Sequence, residues 1–137
     1  MATLMNAHLF VYGSLMSTAG HRMGARLASE GRLLGGASVA GRLYAVSWYP
    51  GVADACDPAD RVYGEVYLLV DPAGSFAWLD AYEGLTGGNE ETAEYARVER
   101  LVRLASGAEV VAWVYLYRKP TIGLRHIPDG RWTPAIG

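Results

Sequence analysis

One helix is marked at both ends in this sequence, and strand patterns surround it. It is predicted to begin at Asp71-Pro72, an acidic N-cap followed by a proline, and to end at Gly84, the usual left-handed terminator. A weaker helical period, interrupted by glycines, covers residues 18–30. Strand patterns cover residues 9–12, 37–48, 62–70, 95–104 and 109–117. The chain is therefore predicted to form an α+β fold with five or six strands and one or two helices.

Turn signals separate these strand patterns. Tyr49-Pro50-Gly51 is predicted to end the strand at 37–48 in a turn. Residues 105–108 are predicted to join the last two strands in a β-hairpin. We interpret residues 1–137 as a single domain with a core at about 8–117 and an irregular C-terminal tail at 118–137.

The composition disfavours several classes of protein. The 137 residues carry 12 basic and 14 acidic side chains, so a formal charge of −2 argues against binding nucleic acid through its phosphates. The longest apolar run, residues 110–117, is far shorter than the roughly 20 residues that cross a membrane. Residues 1–7 lack the charged and hydrophobic regions of a secretory signal. We therefore expect a cytoplasmic protein without nucleic-acid or membrane partners.

No metal site and no cofactor are predicted. His8, His21, His126 and Cys56 are scattered, without the Cys-x-x-Cys or His-x-x-x-His spacing that would bind a metal. Cys56 has no neighbouring histidine or lysine that would activate its thiol, and a single cysteine cannot form an intrachain disulfide. These four residues receive no role.

Glu83 is the first candidate for chemistry. Phe76, Leu79 and Glu83 are spaced i, i+3 and i+7, so the apolar face of the predicted helix ends in a carboxylate. Partial burial beside apolar neighbours and the negative end of the helix dipole are both expected to raise the pKa of this carboxyl group. The alternative is that Glu83 points into solvent from a frayed last turn.

The second candidate is the turn that follows the first strand. In Val11-Tyr12-Gly13-Ser14-Leu15, a strand runs into a glycine turn, where successive backbone N–H groups can point into a common space. Such a turn can hold an anion or a polarised carbonyl group. The alternative is a turn that only reverses the chain.

Five motifs in a fixed order connect the two candidates. From about residue 8 to residue 117, the chain resembles the gamma-glutamylcyclotransferase-like family of the AIG2-like, gamma-glutamylamine cyclotransferase type. An ordered series of motifs is more specific than any one of them. The motifs are Phe10-Val11-Tyr12-Gly13-Ser14-Leu15, Tyr49-Pro50-Gly51, Val62-Tyr63-Gly64-Glu65-Val66-Tyr67, Leu79-Asp80-Ala81-Tyr82-Glu83-Gly84 and Tyr95-Ala96-Arg97.

The resemblance implies both a fold and a reaction. The expected fold is a small mixed β-barrel with one or two flanking helices, with the glycine turn and the helix end facing one pocket. Enzymes of this family release 5-oxoproline from γ-glutamyl compounds, which implies a small γ-glutamyl substrate and no cofactor. Carried over to this sequence, Glu83 would be the general acid/base. The implied substrate-binding residues are Tyr12, Gly13, Ser14, Leu15 and Tyr95.

Several points remain open at the level of sequence. Arg97 either holds a substrate carboxylate or, as we favour, pairs with Glu99 or another acid on an exposed strand face. The loop at 85–94 is either a lid or, the interpretation we favour, a solvated loop. His21 has no assigned role, and either a monomer or a homodimer is compatible with the pattern. The alternatives to a cyclotransferase are a non-enzymatic module that binds a small carboxylate and an amide hydrolase that uses the same pocket.

Overall fold

The computed structural model describes residues 5–17, 19–55, 57–85 and 93–133. Within them the chain forms eight strands and two helices, two strands more than the upper prediction. The strands are β1 (His8–Val11), β2 (Gly31–Ala40), β3 (Arg42–Ala45), β4 (Pro50–Ala53), β5 (Arg61–Leu69), β6 (Tyr95–Leu104), β7 (Glu109–Tyr117) and β8 (Arg125–Ile127). The helices are α1 (Arg22–Glu30) and α2 (Pro72–Tyr82).

Five of the strands close into a barrel. The sheet order is β1-β5-β2-β6-β7-β4-β3-β8, and β1 also pairs with β7, which joins the ends of the first five strands. The closing pair is parallel, with Leu9 opposite Trp113, whereas β1–β5, β5–β2, β2–β6 and β6–β7 are antiparallel. The expected α+β fold, a small mixed β-barrel with flanking helices, is therefore confirmed.

Local sequence explains both helices. The Asp71 side chain accepts a hydrogen bond from the Gly74 N–H at 3.2 Å, Pro72 follows as the first helical residue, and Gly84 takes a φ of +80° beyond the end. In α1 the cap is His21, whose Nδ1 accepts from the Met23 N–H at 3.1 Å. His21, left without a role by the sequence, is a helix cap.

The segment predicted as one strand at 37–48 is two strands, and the predicted turn is displaced. Gly41 separates β2 from β3, and the reversal follows at 46–49, where the N–H groups of Val46 and Ser47 both donate to the Tyr49 carbonyl. The prediction of a turn at Pro50-Gly51 is wrong, because these residues begin β4, which pairs with β3. Gly51 is needed there because a Cβ atom would lie 2.9 Å from the Tyr117 side chain.

The tail is also more ordered than predicted. β8 pairs with β3 in an antiparallel register, with Leu43 opposite Ile127. Ile127 is buried in the barrel core, so the core extends beyond residue 117. No local pattern marked this strand, because its three residues are stabilised by a distant partner.

The side chains of β1 alternate between two apolar clusters. Phe10 points into the barrel core, whereas Leu9 and Val11 belong to a second cluster that includes Phe76 and Leu79 of α2. α2 therefore packs on the outside of the barrel beside β1. This packing brings the end of α2 close to the loop that follows β1.

Candidate active site

A cavity of about 360 Å³ contains all six residues proposed from the sequence. The loop after β1 contributes Tyr12, Gly13, Ser14 and Leu15 to its wall, the end of α2 contributes Glu83, and the start of β6 contributes Tyr95. The remaining lining residues are Phe10, Val11, Trp48, Tyr49, Pro50, Tyr82, Gly84, Glu94 and Tyr115.

Glu83 is the C-cap of α2 and is partly buried in this wall. Its backbone N–H donates to the Leu79 carbonyl at 2.9 Å, which keeps the residue in helical register above the buried Phe76 and Leu79. Within the described part of the chain, its carboxylate accepts no hydrogen bond. The geometry therefore disagrees with a side chain that points into solvent.

Burial is the largest effect on the acidity of Glu83. Together with the negative charge of Asp80, it raises the pKa of the Glu83 carboxyl group from 4.5 to about 7. The upward direction of this pKa shift and its main cause, burial, agree with the prediction. The second cause is Asp80, which lies one helical turn earlier. Glu83 can thus exchange a proton near neutral pH.

The loop after β1 leaves two backbone donors free. It turns through a hydrogen bond from the Met16 N–H to the Gly13 carbonyl at 3.0 Å. No acceptor within the described residues takes the N–H groups of Ser14 and Leu15. The loop thus offers adjacent donors at the cavity wall, where they can bind a carbonyl oxygen or an anion.

The packing of α1 sets the direction of the Leu15 donor. The carbonyl oxygens of Ser14, Leu15 and Met16 all lie 3.2 to 3.3 Å from the position that a Cβ atom would occupy on Gly24. Because the N–H of a trans peptide points opposite to its C=O, the Leu15 N–H points away from α1. Gly24 therefore permits the close approach that orients the loop.

Glu65 of β5 fixes the end of the same loop. Its carboxylate accepts hydrogen bonds from the backbone N–H and the hydroxyl group of Ser17, both at 2.6 Å. A hydrogen bond of 2.8 Å between the hydroxyl groups of Ser14 and Tyr82 joins the loop to the last turn of α2. Neither Glu65 nor Tyr82 received a role from sequence alone, although Glu65 lies in the motif of residues 62–67 and Tyr82 in that of residues 79–84.

The hydroxyl groups of Tyr12 and Tyr95 are engaged by backbone atoms. Tyr12 donates to the Tyr115 carbonyl at 2.6 Å and accepts from the Val52 N–H at 3.3 Å, while Tyr95 donates to the Pro50 carbonyl at 2.6 Å. Burial raises the pKa of both phenols. Both residues lie at the cavity as predicted, and their hydroxyl groups hold its wall together.

Arg97 pairs with an acid, but not on an exposed face. Its Nε and Nη2 atoms donate to the two Asp80 carboxylate oxygens at 2.9 and 3.2 Å. The guanidinium lies over the rings of Phe76 and Trp113, which contact each other edge to face, with centroid distances of 4.1 and 4.5 Å. The Tyr115 hydroxyl donates to the same Asp80 at 2.6 Å. The prediction of an exposed pair was therefore wrong in its location.

Comparison with known proteins places this geometry in a family. Residues 9–134 match the family described as gamma-glutamyl cyclotransferase, AIG2-like. The gamma-glutamylcyclotransferase family protein YtfP of Escherichia coli K12 is 36% identical over 125 residues, which cover 90% of this chain and 94% of YtfP. The chain belongs to this family. The resemblance inferred from the ordered motifs is confirmed.

Several solved structures share the fold of this chain. The solution structure of Escherichia coli YtfP has a TM-score of 0.61 and 35% identity, covering 91% of this chain and 95% of YtfP. A mouse AIG2-like protein has a TM-score of 0.65 at 21% identity, covering 96% and 97%. YkqA of Bacillus subtilis has a TM-score of 0.69 at 23% identity, and the match spans 93% of this chain but 40% of YkqA. Family membership indicates gamma-glutamylcyclotransferase-like activity in general.

The charges at this family site are all negative. Glu83 and Glu94 line the cavity, and no arginine, lysine or histidine accompanies them among its described lining residues. Glu94 accepts a hydrogen bond from the Tyr49 hydroxyl at 2.6 Å, which raises the pKa of Tyr49 to about 12. Within the loop at 85–94, residues 86–92 lie outside the described residues, so its two interpretations stay open.

The described residues contain neither a metal-binding cluster nor a membrane-spanning helix. Within the described ranges, no group of three histidine, cysteine, aspartate or glutamate side chains is arranged to hold a metal ion. Cys56 lies outside those ranges. Neither described helix has the length and apolar character needed to span a bilayer.

Proposed function

We propose that this chain cleaves a γ-glutamyl amine or γ-glutamyl amino compound and releases 5-oxoproline and the free amine. The observation that carries the proposal is the position of Glu83. A carboxyl group with a pKa of about 7 lies in the same cavity as the free N–H donors of Ser14 and Leu15. A group of this pKa is suited to both accept and donate a proton at neutral pH.

The substrate supplies its own nucleophile in this reaction. The α-ammonium group first loses a proton to water, and the resulting amine attacks the γ-carbonyl carbon to form the five-membered ring while Glu83 takes the second proton from the attacking nitrogen. Glu83 then delivers a proton to the departing nitrogen as its bond to the γ-carbon breaks. Because attack is intramolecular, no serine, cysteine or metal has to provide a nucleophile.

The loop after β1 and the charges of the cavity define the proposed orientation. The free N–H groups of Ser14 and Leu15 face the γ-carbonyl oxygen and stabilise the negative charge that develops on it during attack. The negative charges of Glu83 and Glu94 favour an orientation in which the ammonium group of the substrate lies beside these two carboxylates.

The test compares the wild-type protein with Glu83→Gln on a panel of γ-glutamyl amino acids and amines. 5-Oxoproline is measured by mass spectrometry, and turnover is expected to be lost in Glu83→Gln. The matched control is Glu109→Gln, which changes an exposed glutamate on β7 away from the cavity. Equal turnover by wild type and Glu83→Gln would reject the acid/base role.

Other products of the panel separate the two alternatives. Free glutamate in place of 5-oxoproline would show an amide hydrolase. Ligands that raise the melting temperature without turnover would show a binding module. Either result would overturn the proposed cyclisation.

A further inference from the structure

A second cavity, of about 690 Å³, lies on the outer face of the barrel. Three strands, the hairpin turn after β6 and the chain segment after β8 form its wall. Arg61, Arg103 and Arg131 line it, and its described lining contains no aspartate or glutamate. This concentration of positive charge contrasts with a chain whose formal net charge is −2.

Strand register brings the three arginines together. Ser38 of β2 lies opposite Tyr63 of β5 on one side and opposite Arg103 of β6 on the other, so these residues form a row across one face. Arg61 precedes Tyr63 by two positions and shares its face. Arg131 reaches the same place from the tail, with its guanidinium 4.1 Å from the centroid of the Tyr63 ring.

Within the described residues, none of the three guanidinium groups forms an ion pair with a carboxylate, and Glu109, which lies opposite Arg103 across β6 and β7, is not within ion-pair distance of it. Arg61 donates to the Ser38 carbonyl and hydroxyl oxygens at 2.9 to 3.2 Å, Arg131 covers an aromatic ring, and Arg103 has no hydrogen-bond partner there. By contrast, four other arginines each pair with a carboxylate: Arg26, Arg42, Arg97 and Arg100.

The floor beside the arginines is open at Gly36, which lies opposite Glu65 of β5. Gly36 lies two residues before Ser38 on the same face, and a Cβ atom placed on it would meet nothing closer than the Gly64 carbonyl at 3.9 Å. Gly36, Ser38 and Ala105 contribute only small side chains to the lining. A ligand can therefore reach the sheet beside the positive groups.

We propose that this cavity is a binding site for a small phosphorylated anion. The planar guanidinium fork donates paired hydrogen bonds to phosphate oxygens, and three unneutralised forks at one cavity suit a group with several negative charges. The site is separate from the cavity that contains Glu83 and does not depend on the proposed reaction.

The experiment titrates the full chain with inorganic pyrophosphate by calorimetry at low salt. Arg103→Ala and Arg131→Ala are each expected to weaken binding at least about tenfold, the loss expected for one charge-assisted contact. The matched control, Arg32→Ala, removes an exposed arginine of β2 that has no carboxylate partner among the described residues and lies outside the cavity. It is expected to bind pyrophosphate as the wild type does.

Two further arms keep the result decisive. Gly36→Leu leaves every arginine in place but fills the floor, and it is expected to abolish pyrophosphate binding while circular dichroism remains unchanged. Citrate serves as a carboxylate anion of comparable charge, and equal or tighter binding of citrate would overturn the preference for phosphate. No binding of pyrophosphate at millimolar concentration, or an equal loss in Arg32→Ala, would overturn the site itself.

Discussion

The two cavities carry opposite charges for different structural reasons. The first is lined by Glu83 and Glu94 without a described cation, and the second by three arginines without a described carboxylate. Glu83 is held partly buried at a helix end, so its environment changes its proton affinity. The exposed Arg103 and Arg131 stay in contact with water, where an unpaired charge costs little. The buried unpaired acid is suited to proton transfer, and the exposed unpaired cations are suited to binding.

Arg97 lies between these two cases and makes the contrast clearer. It is partly buried, like Glu83, but its charge is compensated by Asp80 and by two aromatic rings that its guanidinium covers. One of its nitrogen atoms, Nη1, is buried without a hydrogen-bond partner. A buried cation in this fold is therefore held by a carboxylate, whereas Glu83 has no such partner.

The largest expected effect is on catalysis by the first cavity. Glu83→Gln removes the only group to which we assign proton transfer, and kcat is expected to fall by about 10² to 10⁴ with little change in KM. Single-turnover formation of 5-oxoproline measures the chemical step directly. A fall confined to KM would instead indicate that Glu83 only binds the substrate.

The next largest effect is on stability, and it distinguishes Arg97, which pairs with a carboxylate, from the arginines of the second cavity, which form no ion pair among the described residues. Arg97→Ala leaves Asp80 partly buried without its cation, and the free energy of unfolding is expected to fall by about 3 kcal/mol. Arg103→Ala removes no partner and is expected to change it by less than about 0.5 kcal/mol. Urea unfolding of both variants measures the difference. Equal losses would remove the distinction between paired and unpaired arginines.

A smaller effect is the dependence of stability on pH. Since the pKa of Glu83 is raised from 4.5 to about 7 on folding, its contribution to stability is fully present below pH 4.5 and is lost as the pH rises through 7. Glu83→Gln keeps a neutral side chain at every pH. The free energy of unfolding of Glu83→Gln minus that of the wild type is therefore expected to be about 2 kcal/mol larger at pH 8 than at pH 4.5. This is less than the full pKa shift implies, because Glu83 retains some solvent contact.

Urea unfolding at both pH values checks this prediction. Glu109→Gln, which changes an exposed glutamate, is the control and is expected to show no such gain. A gain of the same size in both variants would mean that the effect reflects net charge and not the burial of Glu83.

Local signals predicted the helix that carries Glu83, whereas only the family resemblance implied that its end and the glycine turn face one pocket, and nothing in the sequence predicted the second cavity. The cap at Asp71, the terminator Gly84 and the spacing from Phe76 to Glu83 are all contained within fourteen residues, so a single helix determines them. The partners of Asp80 come from β6 and β7, 17 and 35 residues away, and no local pattern reveals them. The second cavity depends on the register of β5, β2 and β6. This register is set by how the three strands pair with one another and not by the sequence of any one strand. The same is true of β4, where pairing with β3 overrides the turn signal of Pro50-Gly51.

The smallest predicted effect concerns the loop that borders both cavities. Ser14 and Leu15 line the first cavity, Met16 lines the second, and Glu65 anchors the next residue, Ser17, through two hydrogen bonds of 2.6 Å. Glu65→Gln replaces two charge-assisted contacts with neutral ones and is expected to lower the free energy of unfolding by about 1 kcal/mol.

The functional consequence of Glu65→Gln distinguishes anchoring from simple stabilisation. A looser loop misplaces the N–H donors of Ser14 and Leu15, so kcat is expected to fall by roughly three- to tenfold while the pH dependence set by Glu83 stays unchanged. Pyrophosphate binding at the arginines is expected not to weaken, because none of the three contacts Glu65 through a hydrogen bond or ion pair and the change removes a negative charge from the same face of the sheet. A parallel loss of both functions would show instead that the loop couples the two cavities.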